Sequence, residues 1–259
     1  MSTLEALVLG VLQGLSEFFP VSSSGHLVLF QSLLGIVPEG LLFEVSVHVA
    51  TLAAILLFYR RRIGALVVGA LRLQQDALRY AGKLVVGSLP AVAVGLSAKN
   101  FIAAQFSAPP VVAILLLVTG GIVWTTRYTR GTGNTPEPSW SGSLLIGFAQ
   151  AFAILPGISR SGSTVAAALA LGLAPAAAAE FSFLLGVIAI SGAAVLVLPG
   201  LRDAPPGQLS AVALGFAGAL PSGLVALWLF VRMLRTNSFH QFAWWAWLAG
   251  AAFLGWQLA

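Results

Sequence analysis

The sequence predicts an all-α polytopic membrane protein, built as an inverted repeat of six transmembrane helices plus two re-entrant helical hairpins. Three observations lead there. Of 259 residues, 58% are hydrophobic and 8% charged, against about 25% charged in a soluble domain. Such a chain cannot cover itself with solvated side chains and belongs in a bilayer. One polar phrase occurs twice, as GVLQGLSEFFPVSSSGHLVL from Gly10 and GFAQAFAILPGISRSGSTVA from Gly147. Finally, the basic residues sort to one side of the predicted spans.

Taken in order, the first elements are too short to cross. Leu4–Phe19 is sixteen residues, roughly 24 Å as a helix, and Ser24–Ile36 is thirteen, roughly 20 Å. A hydrocarbon layer is about 30 Å thick. Short helices broken by Pro and polar residues at membrane depth read as a re-entrant hairpin, tolerated where it is buried in protein or lines a wet cavity. Apolar runs near Leu41–Tyr59, Lys83–Leu96 and Pro110–Thr126 are the first three spans. Ser141–Leu155 and Gly162–Leu173 form the second hairpin. Spans near Glu180–Leu198, Leu209–Val231 and Phe242–Leu258 follow. The stretches YRRRIG, TRYTRGTGNTPEPSWSG, LRDAPPGQ and RMLRTNSFHQ read as connectors, giving one domain over 1–259 with repeats of approximately 4–127 and 141–258. The N-terminal stretch has no basic region ahead of a cleavage site, so no removable signal peptide is expected. There is no cysteine, hence no disulfide or thiolate metal site.

With YRRRIG inside, Arg60, Arg61, Arg62, Arg72, Arg79, Lys83, Arg127, Arg130, Arg232 and Arg235 all fall on the cytoplasmic side. Lys99 and Arg202 fall outside, and Arg160 lies in the second hairpin. The formal charge of +5 is therefore a topology signal rather than a nucleic-acid footprint. An odd number of spans per repeat inverts the second copy, and a site is expected near the midplane where the hairpins meet. GSLPAVAVGL from Gly87 and GALPSGLVAL from Gly218 extend the repeat beyond the hairpins.

Buried charge in a membrane is expensive and usually functional. Glu17, His26 and Arg160 all sit in the repeated phrases, and none has a like counterpart in the other copy. Gln13 and Glu17 share one helix face at i and i+4. Pro20 ends a helix and Ser22, Ser23, Ser24 and Gly25 lead into the next, so hydroxyls and free N–H groups at its N-terminus make an anion cradle. Ser159, Ser161 and Thr164 repeat the design, and Arg160 adds a fork for two oxyanions. His26 is placed as base or nucleophile. Glu17 either orients it or holds a divalent cation. Taken singly, each Ser is an ordinary N-cap; it is the two matched hairpins together that indicate a ligand site. Glu44 and His48, at i and i+4 at the start of a span, either border the cavity or are structural. Glu5, Glu39, Asp76, Glu137 and Asp203 read as interfacial charges, Glu180 as a helix-start acid, and Trp244, Trp245, Trp247 and Trp256 as a belt.

QGLSEFFPVSSSGHL and LPGISRSGST, in this order and followed by EFSFLLGV, closely resemble the bacterial undecaprenyl-diphosphate phosphatase family, also called the bacitracin-resistance protein family. The resemblance covers nearly the whole chain. It implies removal of one phosphate from undecaprenyl diphosphate, the lipid carrier of envelope polymers, in the bacterial cytoplasmic membrane with a site facing the periplasm. It also implies dependence on a divalent cation, Mg2+ or Ca2+. A homodimer and a flipping role stay open. The family's acidic motif falls on Gln13 and Glu17, with Gln in place of a first carboxylate. The Ser-Ser-x-Gly-His motif falls on Ser22, Ser23, Gly25 and His26, and the Pro-Gly-x-Ser-Arg-Ser-x-x-Thr motif on Pro156, Gly157, Ser159, Arg160, Ser161 and Thr164.

The expected catalytic set is Glu17, Ser23, His26 and Arg160, with Gln13, Ser22, Ser24, Gly25, Ser159, Ser161 and Thr164 binding substrate and Glu17 as the metal ligand. A seryl phosphate, a phosphohistidine and direct attack by water all remain open. A polyprenyl-phosphate transporter is the rival reading, because broken helices in inverted repeats are a transporter design. The type 2 phosphatidic acid phosphatase superfamily expects a further His after the Ser-Arg pair, and SGSTVAAALALG has none.

Overall fold

The computed structural model describes residues 2–35, 42–129, 133–197 and 206–258. Ile36, Glu39, Leu41, Arg130, Leu198, Arg202 and Asp203 lie outside them. Among the described residues are twelve α-helices. The first hairpin is α1 (Thr3–Phe18) and α2 (Ser23–Leu34), followed by α3 (Leu42–Phe58), α4 (Arg60–Leu71), α5 (Gln75–Ser97), α6 (Lys99–Phe106) and α7 (Pro109–Thr125). The second hairpin is α8 (Trp140–Phe152) and α9 (Arg160–Ala170), followed by α10 (Pro175–Val197), α11 (Pro206–Arg235) and α12 (Phe242–Leu258).

Among the described residues, four helices are long and apolar enough to cross a membrane: Gln75–Ser97, Pro109–Tyr128, Pro175–Val195 and Gln208–Arg235. The pair α3 and α4 makes a fifth if taken as one span, although it is bent by 77°. The chain is thus a multi-pass, all-helical membrane protein, but its six expected spans are unequal. The described parts of α3 and α12 have 17 residues each, roughly 26 Å. YRRRIG, read as a connector, starts α4 instead.

Packing explains the echoes in the sequence. α1 lies along α11 and α8 lies along α5, so each hairpin's first arm packs against the other half. The contacts fall on the echoed motifs. Gly147 of α8 meets the backbone of Gly87 on α5, while Gly218 of α11 faces the backbone of Leu7 and Val11 on α1. Pro90 and Pro221 occupy matching places inside α5 and α11. The largest core cluster, with Phe18, Phe181, Phe183 and Phe230 fully buried, joins α1, α10 and α11.

Some residues read as surface charge hold helices together. Ser2 and Glu5 form a capping box at the start of α1. Glu180 lies in the second turn of α10, where it takes Arg62 at 2.8 Å and the Tyr80 hydroxyl at 3.1 Å. Glu137 pairs with Lys83 at 2.9 Å.

Candidate active site

Each hairpin turns at a serine N-cap. Pro20 follows the α1 C-cap Phe19, which is extended at φ −62°, ψ 144°, and Ser22 then accepts from the Gly25 N–H at 3.2 Å. Ser22 has φ 68°, a left-handed conformation that costs a non-glycine residue about 1–3 kcal/mol and persists where its surroundings over-determine it. In the second turn Ser159 accepts from the Gly162 N–H at 3.0 Å. Thr119 of α7 clamps that turn, donating to the Gly157 carbonyl at 2.6 Å and accepting from the Ser159 N–H at 3.0 Å.

The two turns touch. A Cβ on Gly25 would lie 3.0 Å from the Gly157 Cα, and Gly157 itself has φ 101°, which leaves little choice but glycine. The Ser161 hydroxyl reaches the Phe19 carbonyl at 3.3 Å. Arg160, at the start of α9, extends one guanidinium nitrogen to Glu17 at 2.5 Å and another to the Ser182 carbonyl at 3.4 Å. Gly186 leaves room for that guanidinium, since any Cβ there would meet it. The segment EFSFLLGV therefore serves Arg160.

Glu17 is the hub. Its Oε1 takes Arg160, while its Oε2 takes the Ser23 hydroxyl at 2.6 Å and the Gln13 amide at 3.0 Å. Every one of these partners is a donor, which suits an ionised carboxylate. The His48 Nε2 stands 3.7 Å from the same Oε2. These groups border a cavity of about 350 Å³ lined by Glu17, Ser22, Ser23, Ser24, Glu44, His48, Ser159 and Arg160, with Leu27, Val28, Val45, Ile154 and Ile190 among its apolar walls.

Five expected residues stand outside the cavity lining. Gln13 is fully buried and bonded to Glu17. Gly25 supplies the close approach of the turns. Ser161 ties the second turn to Phe19, and Thr164 locks α9 to α10 through Ser182 at 2.5 Å. His26, too, lies away from the cavity. Its Nδ1 faces the Ser22 carbonyl at 2.8 Å and must donate; its Nε2 receives the Trp245 indole N–H at 2.9 Å and must accept. It is 3% exposed, a neutral imidazole with both nitrogens committed, and it borders a separate apolar groove with Trp245 and Trp256. Trp245 is thus a histidine partner rather than only a belt residue. Trp247 packs against Gly120 and donates to the Leu117 carbonyl at 3.1 Å. Thr119 and Trp245 carried no motif signal, because only the folded chain brings them to the turns.

The donor set does not fit a protein-held divalent cation. Both oxygens of Glu17 are occupied by donors, Gln13 offers no second carboxylate, and no group of three or more His, Asp or Glu among the described residues is placed to hold a metal.

The family model described as bacitracin resistance protein BacA matches residues 6–252. The chain belongs to the bacitracin resistance protein family. Relatives of this family include a protein of Desulfatibacillum aliphaticivorans named undecaprenyl-diphosphatase, 39% identical over 272 residues and covering 98% of each chain. A protein of Desulfosudis oleivorans with the same name is 41% identical over 270 residues, again 98% of each chain. A third, from Desulforapulum autotrophicum, is 39% identical over 266 residues, 96% of each.

Proposed function

We propose that the chain is a membrane phosphohydrolase that converts undecaprenyl diphosphate to undecaprenyl phosphate and inorganic phosphate. The observation that carries this reading is the linked set Ser23–Glu17–Arg160, placed in one cavity between two serine-capped helix N-termini. Free N–H groups at both helix starts and the guanidinium suit the oxyanions of a diphosphate, and the apolar walls suit an isoprenoid chain. The names of the relatives support the same substrate.

In the mechanism this geometry favours, the Ser23 Oγ attacks the terminal phosphorus and gives its proton to the Glu17 Oε2 that it already touches. The bond from phosphorus to the bridging oxygen breaks and undecaprenyl phosphate leaves. Protonating Glu17 removes the charge that holds Arg160, so the guanidinium is released to the phosphoryl oxygens as negative charge builds there. Water then frees the phosphate from Ser23. His26 would have to give up Trp245 before it could attack, which is why Ser23 is the nucleophile of choice.

The two halves are read as inverted repeats, supported by the exchanged packing of α1 and α8. Basic residues on one side of the spans support a bacterial cytoplasmic membrane orientation with the cavity open to the periplasm. The test is phosphate release from a prenyl diphosphate by purified protein in detergent, where transport has no meaning. Activity that is lost in Ser23→Ala is expected; a Ser23→Ala variant at wild-type rate would reject this chemistry.

A further inference from the structure

His48 lies outside both repeated phrases, on α3, yet its imidazole borders the cavity. Its Nδ1 faces the Glu44 carbonyl at 2.6 Å; a carbonyl only accepts, so Nδ1 carries a proton, and in the neutral imidazole Nε2 presents a lone pair. Thr51 fixes the same turn of α3 by donating to the His48 carbonyl at 2.8 Å. Nε2 looks across 3.7 Å at the Glu17 Oε2, the oxygen bonded to the Ser23 hydroxyl. With the imidazole neutral, these are two acceptors facing one another across a gap that a water molecule, with two protons to donate, can bridge. The imidazole side chain is 29% exposed and lines the cavity, whereas His26 is buried outside it.

We propose that His48 is a catalytic residue that seats and deprotonates the water that attacks phosphorylated Ser23, an inference that rests on the Ser23 reading above. The water oxygen forms the new bond to phosphorus, and one water proton passes to Nε2. The bond from phosphorus to Oγ breaks, and Glu17 returns to Oγ the proton it took in the first step. Hydrogen phosphate departs with the second water proton, Glu17 is again ionised beside Arg160, and His48 passes its proton to cavity water.

The test uses the full chain in detergent with a prenyl diphosphate, comparing wild type, His48→Gln and His48→Ala by rapid quench and peptide mass analysis. Gln keeps the side chain's size and polarity but cannot accept the proton. Both variants should release one equivalent of prenyl monophosphate per chain in the first turnover. Steady turnover should then fall by about a hundredfold or more, with phosphate accumulating on the Ser23 peptide, and added imidazole should restore part of the rate in His48→Ala. Turnover within a few-fold of wild type overturns the proposal. So does loss of the first turnover together with the rest, since that marks a structural role. If no protein carries phosphate on Ser23 and Ser23→Ala stays active, the Ser23 reading itself fails, and that outcome is distinct from the other two.

Discussion

Glu17 binds Arg160, Ser23 and Gln13 through two oxygens, and this sharing decides what single substitutions do. Arg160→Lys keeps the charge but loses the planar fork that can serve Glu17 and a phosphate together. It should lower kcat/KM for phosphate release by about a hundred- to a thousandfold, the usual cost of one transition-state donor. Arg160→Ala leaves a buried carboxylate unpaired and should also destabilise the fold by about 3–5 kcal/mol, read as a lower melting temperature in detergent. Trp245→Phe should behave differently: the His26 Nε2 loses its donor, at about 1–3 kcal/mol, while turnover stays within a few-fold. A collapse of kcat without loss of stability would return His26 to the chemistry. At this scale chemistry and repetition in the sequence pointed to Glu17, Ser23 and Arg160, which the fold brings together. The contact of His26 with Trp245 was not legible, because Trp245 lies over two hundred residues away and looks like an ordinary belt residue.

At the scale of elements, the two hairpin turns are held by close backbone approach rather than by bulk. Gly157→Ala faces both a positive φ and the carbonyl of Val112, and Gly25→Ala faces Leu116 and Gly157. Each should destabilise by about 1–3 kcal/mol and lower phosphate release, because the serine caps shift with the turns. Thr119→Val removes both bonds that clamp the second turn and should weaken activity more than Thr164→Val, whose hydroxyl only joins α9 to α10; the comparison of KM in the two variants checks this. The hairpins were readable from helix length and the repeated Pro-Ser-Gly pattern. The 77° break between α3 and α4 was not, because Arg60, Arg61 and Arg62 look the same in a loop and at the start of an interfacial helix.

For the whole molecule, the composition and the repeat made the all-helical membrane fold legible, while the unequal span lengths depended on where each helix stops. The exchange of partners, α1 on α11 and α8 on α5, carries Glu17 from one half to Arg160 of the other. The chain contains no cysteine, so single-cysteine variants report topology cleanly. Arg72→Cys should react with an impermeant thiol reagent only from the cytoplasmic side, and Lys99→Cys only from the outside. Labelling of both from one side would refute the orientation.

The claim that one site is shared between the halves is tested most directly by a double-mutant cycle on phosphate release, using Glu17→Gln, Arg160→Gln and the pair. Each single variant should lose at least about a hundredfold in kcat/KM, and the double variant should be no worse than the poorer single, as expected of residues acting as a unit. Losses that multiply would show two groups working independently and would contradict the account.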